Sequence, residues 1–106
     1  MIKLADIEAA RRRIEGVVVR TPLIASGTDL WLKPESLQPI GAFKLRGAYN
    51  KMASLSGQEK ARGVIAFSSG NHAQGVAFAA RELGGDATIV MPAIAPQIKK
   101  QKTAAL

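Results

Sequence analysis

Gly63-Val64-Ile65-Ala66-Phe67 and Ala87-Thr88-Ile89-Val90-Met91, with Asn71 to Leu83 between them, decide the fold of this 106-residue chain. Each flanking run is short, continuous and apolar, which is the pattern of a strand buried on both faces. The middle segment carries Val76, Ala80 and Leu83 on one helical stripe and stops at Gly84-Gly85. Pro92 ends the second run, because proline cannot continue a central strand. Two such strands joined by a helix predict a parallel βαβ unit and place the chain in the α/β class. Pro96 then suits the first position of another helix.

Working toward the N-terminus, residues 5–15 read as a helix with Ile7, Ile14 and the pair Ala9-Ala10 on one stripe and Arg11 to Arg13 largely opposite. Gly16 is its stop. Val17-Val18-Val19 is a β-branched run that ends before Pro22, and Leu30-Trp31-Leu32 reads as a strand broken by Pro34. Ser26-Gly27-Thr28-Asp29 between them is turn chemistry. Gln38-Pro39-Ile40-Gly41 reads as a loop, followed by a helix from Phe43 to Leu55 with Leu45, Ala48, Tyr49 and Met52 on one side. No internal boundary divides residues 1–106, and no repeat appears.

Composition narrows the function classes. A hydrophobic fraction of 47% with a mean hydropathy of +0.06 is that of a globular chain. No apolar run reaches the roughly 18 residues that span a bilayer, so no membrane role is expected. The start Met1-Ile2-Lys3-Leu4-Ala5-Asp6 lacks the apolar core of a secretory signal. Zero cysteines exclude disulfides and thiolate metal sites and fit a cytoplasmic protein. The net charge of +7 invites a nucleic-acid reading. Only Arg11-Arg12-Arg13 and Lys99-Lys100-Lys102 cluster, however, and aromatics are too scarce for a base-stacking platform. These clusters read as solvated helix faces, and no nucleic-acid partner is expected.

Two runs carry chemistry. Gly41-Ala42-Phe43-Lys44-Leu45-Arg46-Gly47-Ala48 sets one lysine after an aromatic residue at a loop-to-helix junction. A lysine amine desolvated in this way can act as nucleophile and base. Ser68-Ser69-Gly70-Asn71-His72-Ala73-Gln74-Gly75 is a hydroxyl-rich, glycine-broken turn opening a helix. Unpaired backbone N–H groups at such a start bind anions, and a substrate carboxylate would fill the place. Neither a GxGxxG fingerprint nor a Walker pattern is present, and His72 alone cannot form a metal site.

Together the two runs resemble those of the fold type II pyridoxal-phosphate (PLP) enzymes, the tryptophan-synthase-β-like family, in its threonine/serine dehydratase and serine racemase branch. The likeness extends from Thr21-Pro22-Leu23 through Val90-Met91-Pro92. It implies a partial three-layer parallel-sheet unit, the N-terminal portion of a PLP-dependent catalytic domain. It implies that Lys44 binds the cofactor covalently, that Phe43 lies near the pyridine ring and that Asn71 hydrogen-bonds the cofactor's 3′-oxygen. Ser68, Ser69, Gly70, His72 and Gln74 would hold the substrate carboxylate. In the racemase branch the second serine is the acid/base on the opposite face, which makes Ser69 a catalytic candidate beside Lys44. Many relatives have serine where this chain has Ala42. The resemblance also implies that the phosphate is held by a glycine-rich loop that does not occur among these residues, as is also true of the cation ligands of some relatives.

The reaction implied is dehydration and deamination of L-threonine or L-serine to 2-oxobutanoate or pyruvate and ammonia. A serine racemase-type enzyme is the alternative within the class, and a catalytically silent remnant or assembly module is the alternative outside it. A parallel sheet of two strands lacks cover for its faces and edges. The chain is therefore expected to need a missing C-terminal part or a homo-oligomeric partner, and to be inactive by itself.

Overall fold

The computed structural model describes residues 1–106. Helix α1 (Leu4–Ile14) leads into a small antiparallel hairpin, β1 (Ile24–Ala25) and β2 (Trp31–Leu32), with Ile24 opposite Leu32. A single 3-10 turn, Glu35–Leu37, precedes α2 (Lys44–Ala53) and the short α3 (Gly57–Ala61). The βαβ unit follows as β3 (Val64–Phe67), α4 (Asn71–Leu83) and β4 (Ala87–Val90), and α5 (Gln97–Ala104) closes the order. β3 and β4 are parallel, with Val64 opposite Ala87 and Phe67 opposite Val90.

Period-2 alternation sorts the strand residues between two faces. Val64, Ala66, Ala87 and Ile89 turn toward the helices and pack against the core, which is built mainly from α2 and α4. Leu45 is its one large side chain with no exposure, and Ala48, Tyr49, Met52, Val76, Phe78, Ala79 and Ala80 surround it. The opposite face carries Ile65 at 74% exposure and Phe67 at 72%. The sequence pattern predicts burial on both faces, and here one face is bare, because no element of these residues packs on it. Two of the three expected layers are therefore present.

The N-terminal reading differs in detail. Val17 to Val19 form no strand; the backbone of Val19 is instead paired on both sides by the Gln38 side chain, whose Oε1 accepts from Val19 N–H at 2.9 Å and whose Nε2 donates to Val19 O at 2.8 Å. A buried amide takes the place of a neighbouring strand. The turn at Ser26 to Asp29 does join two strands, but the first is Ile24–Ala25. Helix α3 has no apolar stripe to announce it, and rests on a capping box in which Ser56 and Glu59 satisfy each other's backbone N–H.

One polar cluster ties this N-terminal segment to the start of α2. Arg46 grips Glu35 with two parallel bonds, Nε to Oε2 and a terminal nitrogen to Oε1, both 2.8 Å. Thr21 Oγ1 donates to Glu35 Oε1 at 2.6 Å and Gln38 Nε2 to Oε2 at 3.2 Å. Arg46 reaches on to Val19 O at 3.0 Å, and Lys33 Nζ donates to Thr21 O at 2.9 Å. Thr21 and Gln38 are buried. The bidentate arginine, with the Thr21 and Gln38 donors, holds the Glu35 carboxyl at about 2, below its ordinary 4.5. A depressed carboxylate contributes stability that is complete above its unfolded pKa and is lost as pH falls through the folded one. Glu35→Gln is therefore expected to lower Tm at pH 7 by at least about 5 °C. It should also flatten the loss of stability between pH 4.5 and about 2, which a series of thermal melts across that range reads directly.

Candidate functional site

Gly41 delivers Lys44 to its place. Its N–H closes a turn on Gln38 O at 2.7 Å, and its φ of +68° is one that side chains rarely adopt. Ala42 behind it is buried, which leaves Phe43 and Lys44 to point outward. Lys44 is the first residue of α2, and Nζ lies 4.7 Å from the centroid of the Phe43 ring. The amine pairs with no carboxylate. It lies over an aromatic face, and it is exposed rather than desolvated as the sequence suggests, because nothing among these residues covers Phe43 and Lys44.

The second motif begins where β3 ends. Ser68 N–H continues the parallel ladder onto Val90 O at 3.1 Å, and Ser68 Oγ accepts Gly70 N–H at 3.2 Å. This tight turn fixes the start of α4 at Asn71. No side chain caps that helix start, so the N–H groups of Asn71, His72 and Ala73 open it without intrahelical acceptors. Ser69 and His72 are exposed, whereas Gln74 is buried at 4% and its Nε2 has no hydrogen-bond partner. Gln74 Nε2 is thus a buried donor that the protein itself leaves unsatisfied.

Gly75 brings the two motifs together. A Cβ there would stand 3.3 Å from both the Lys44 carbonyl oxygen and the Ala48 Cβ. The α4 backbone thus lies directly against the first turn of α2. Asn71 sits one turn before Gly75 on the same side of α4. His72 lines a groove of about 450 Å³ shared with Gly47, Lys51, Met52 and Val64, whose lining includes none of Lys44, Ser69 and Asn71. Of the predicted set, His72 is the member that lines this groove.

Two contacts were not legible in the sequence. One is the Glu35–Arg46 cluster that anchors the Lys44 turn. The other is Lys99, read as part of a solvated face, whose Nζ donates to Asn71 Oδ1 at 2.7 Å. Only the tertiary fold brings α5 to α4, and no local spacing could have signalled it.

The first turn of α2, which carries Lys44, thus lies against α4 at Gly75, one turn beyond the uncapped start of that helix. The comparisons with known proteins give the family. The family model described as pyridoxal-phosphate dependent enzyme matches residues 14–106, and the chain belongs to that family. It is 54% identical over 110 residues to the L-threonine ammonia-lyase of Thermotoga maritima, covering 97% of this chain and 27% of that enzyme. Among solved structures, maize serine racemase superposes with a TM-score of 0.92 at 39% identity, over 97% of this chain and 33% of that one. Threonine deaminase isoform 2 from Solanum lycopersicum, in its processed form, does so at 0.85 and 40% identity, over 93% and 31%. The chain thus spans about a third or less of the length of these relatives. No helix is long and apolar enough to cross a membrane.

The residues present fit the cofactor. Lys44 offers an unpaired amine, Asn71 an amide on the same side of α4, and Gln74 a buried donor without a partner. PLP, when bound, withdraws electrons from the substrate α-carbon.

Proposed function

We propose that this chain forms the lysine-bearing part of a cytoplasmic L-threonine/L-serine dehydratase. The observation that carries the reading is the approach of α4 to the backbone of Lys44 at Gly75, which packs the lysine-bearing turn of α2 against the helix that the second motif opens. Lys44 would hold the cofactor and move the α-proton at Nζ. Phe43 and Asn71 would bear on the ring, while Ser68, Ser69, Gly70, His72 and Gln74 would receive the carboxylate. Net, L-threonine loses water, regains it on hydrolysis, and leaves as 2-oxobutanoate and ammonia; L-serine gives pyruvate by the same route. The activity belongs to a complete domain, since the bare face of β3 and β4 must first be covered, by further chain or by a second copy.

The test is a chimera in which residues 1–106 replace the matching segment of the Thermotoga maritima L-threonine ammonia-lyase. The expected result is PLP-dependent production of 2-oxobutanoate from L-threonine. A folded, PLP-binding chimera without turnover would overturn the reading.

Ser69 favours one second reading. Its side chain is exposed at the turn and donates to nothing in the protein, the state of a hydroxyl available to a substrate. A racemase-type enzyme would use it as the proton carrier opposite Lys44. Ser69→Ala in the chimera is expected to lower kcat by about tenfold while leaving the PLP dissociation constant within twofold. The ratio of D-serine to pyruvate formed from L-serine separates the two readings.

A further inference from the structure

β3 and β4 are parallel, so the helices that follow them begin at the same edge of the sheet. α4 begins there at Asn71 and α5 at Gln97. Lys99 stands in the first turn of α5 and reaches across to Asn71, Nζ to Oδ1, at 2.7 Å. The start of α5 is well fixed. Ala95 is buried and its N–H donates to Pro92 O at 2.9 Å; Lys99 N–H donates to Pro96 O at 2.9 Å; Thr103 Oγ1 donates to Lys99 O at 2.8 Å.

On local grounds a lysine is poorly placed here. The positive end of a helix dipole repels a cation, and this one stands near two such ends. Neither α4 nor α5 has an acidic residue in its first turn, and Lys99 forms no ion pair. A local preference broken without local compensation is the mark of a functional position.

The chemistry of the contact says more. An ammonium only donates, so the amide atom facing Lys99 is the acceptor oxygen, and the orientation of the Asn71 amide is thereby fixed. Nδ2, with two N–H groups, occupies the other branch of the amide and can only donate. The neighbouring charge polarises the amide and strengthens those donors.

We propose that Lys99 is a positioning residue for the cofactor: it holds the Asn71 amide in the one orientation that offers N–H donors to the 3′-oxygen of PLP. Its charge also favours that oxygen as an anion. The inference rests on the assignment of Asn71 to the cofactor.

The chimeric holoenzyme tests it through PLP affinity and the absorption band of the bound cofactor, neither of which requires turnover. Lys99→Met removes the donor and the charge at similar length, and is expected to raise the PLP dissociation constant about tenfold and shift the band. Lys99→Arg should restore most of both. In an Asn71→Ala background the Lys99→Met change should add little, because the two residues act as one unit. Unchanged affinity and band in Lys99→Met would overturn the proposal. So would additive losses, or a lowered Tm with PLP binding intact. Absence of any bound-cofactor band in the unsubstituted chimera would instead sink the assignment of Asn71 and Lys44 to PLP, and this inference with it.

Discussion

Lys44→Ala in the chimera is expected to lower L-threonine turnover by at least about 10³-fold, the scale on which loss of a covalent and proton-transferring group acts. Three features of the site make the loss specific. The Lys44 amine forms no ion pair, so its removal leaves no buried charge behind. Nζ lies over the exposed Phe43 ring and not in the core, so the fold loses little packing. The helix keeps its register, since alanine is the best helix former. The variant should therefore melt within a few degrees of the parent, on the scale of about 0.5 kcal/mol for a surface change. Turnover in the variant within tenfold of the parent would remove Lys44 from the chemistry.

Gly75→Val is expected to damage both stability and site. The first added carbon alone would stand 3.3 Å from the Lys44 carbonyl oxygen and from the Ala48 Cβ, and 3.4 Å from the Lys44 carbonyl carbon. Two of these are backbone atoms of α2, which cannot swing aside as a side chain tip can. Valine adds two further carbons at that contact. Overpacking of this kind costs about 1–3 kcal/mol, and here the upper end is expected. Relief requires α2 to move away from α4, and Lys44 moves with it. PLP affinity should fall together with Tm. Gly47→Ala is the control. Nothing lies within 4 Å of a Cβ at Gly47, which is in the middle of α2. That change should hold or raise stability by about 0.5–1 kcal/mol. If Gly75→Val melts like its parent, the close approach that unites the two motifs is not what the structure shows.

The βαβ unit was legible because its signals are local. The apolar runs at residues 63–67 and 87–91 contain the observed strands Val64–Phe67 and Ala87–Val90, and α4 spans the expected Asn71–Leu83. The helix expected over residues 43–55 was readable for the same reason, from the Gln38–Gly41 loop before it, and is observed as Lys44–Ala53 with Phe43 at its cap. What escaped was tertiary. Val19 finds its backbone partner in the amide of Gln38, nineteen residues away, and the valine run reads as a strand only while that partner is unseen. Glu35 and Arg46 are eleven residues apart in sequence and meet because a turn and a loop fold back between them. Lys99 looked like one of several solvated lysines until α5 was set beside α4. Continuous apolar strands predict two covered faces, and the bare Ile65 and Phe67 show that the pattern describes a complete sheet, of which these residues form one layer and one cover.

Lys44 is the residue proposed to take the cofactor. Borohydride reduction of the PLP-loaded chimera, followed by peptide mapping, reads out which lysine is bound. A single phosphopyridoxyl group on Lys44 is expected. A label on Lys33, Lys51 or Lys99, with Lys44 unmodified, would contradict it.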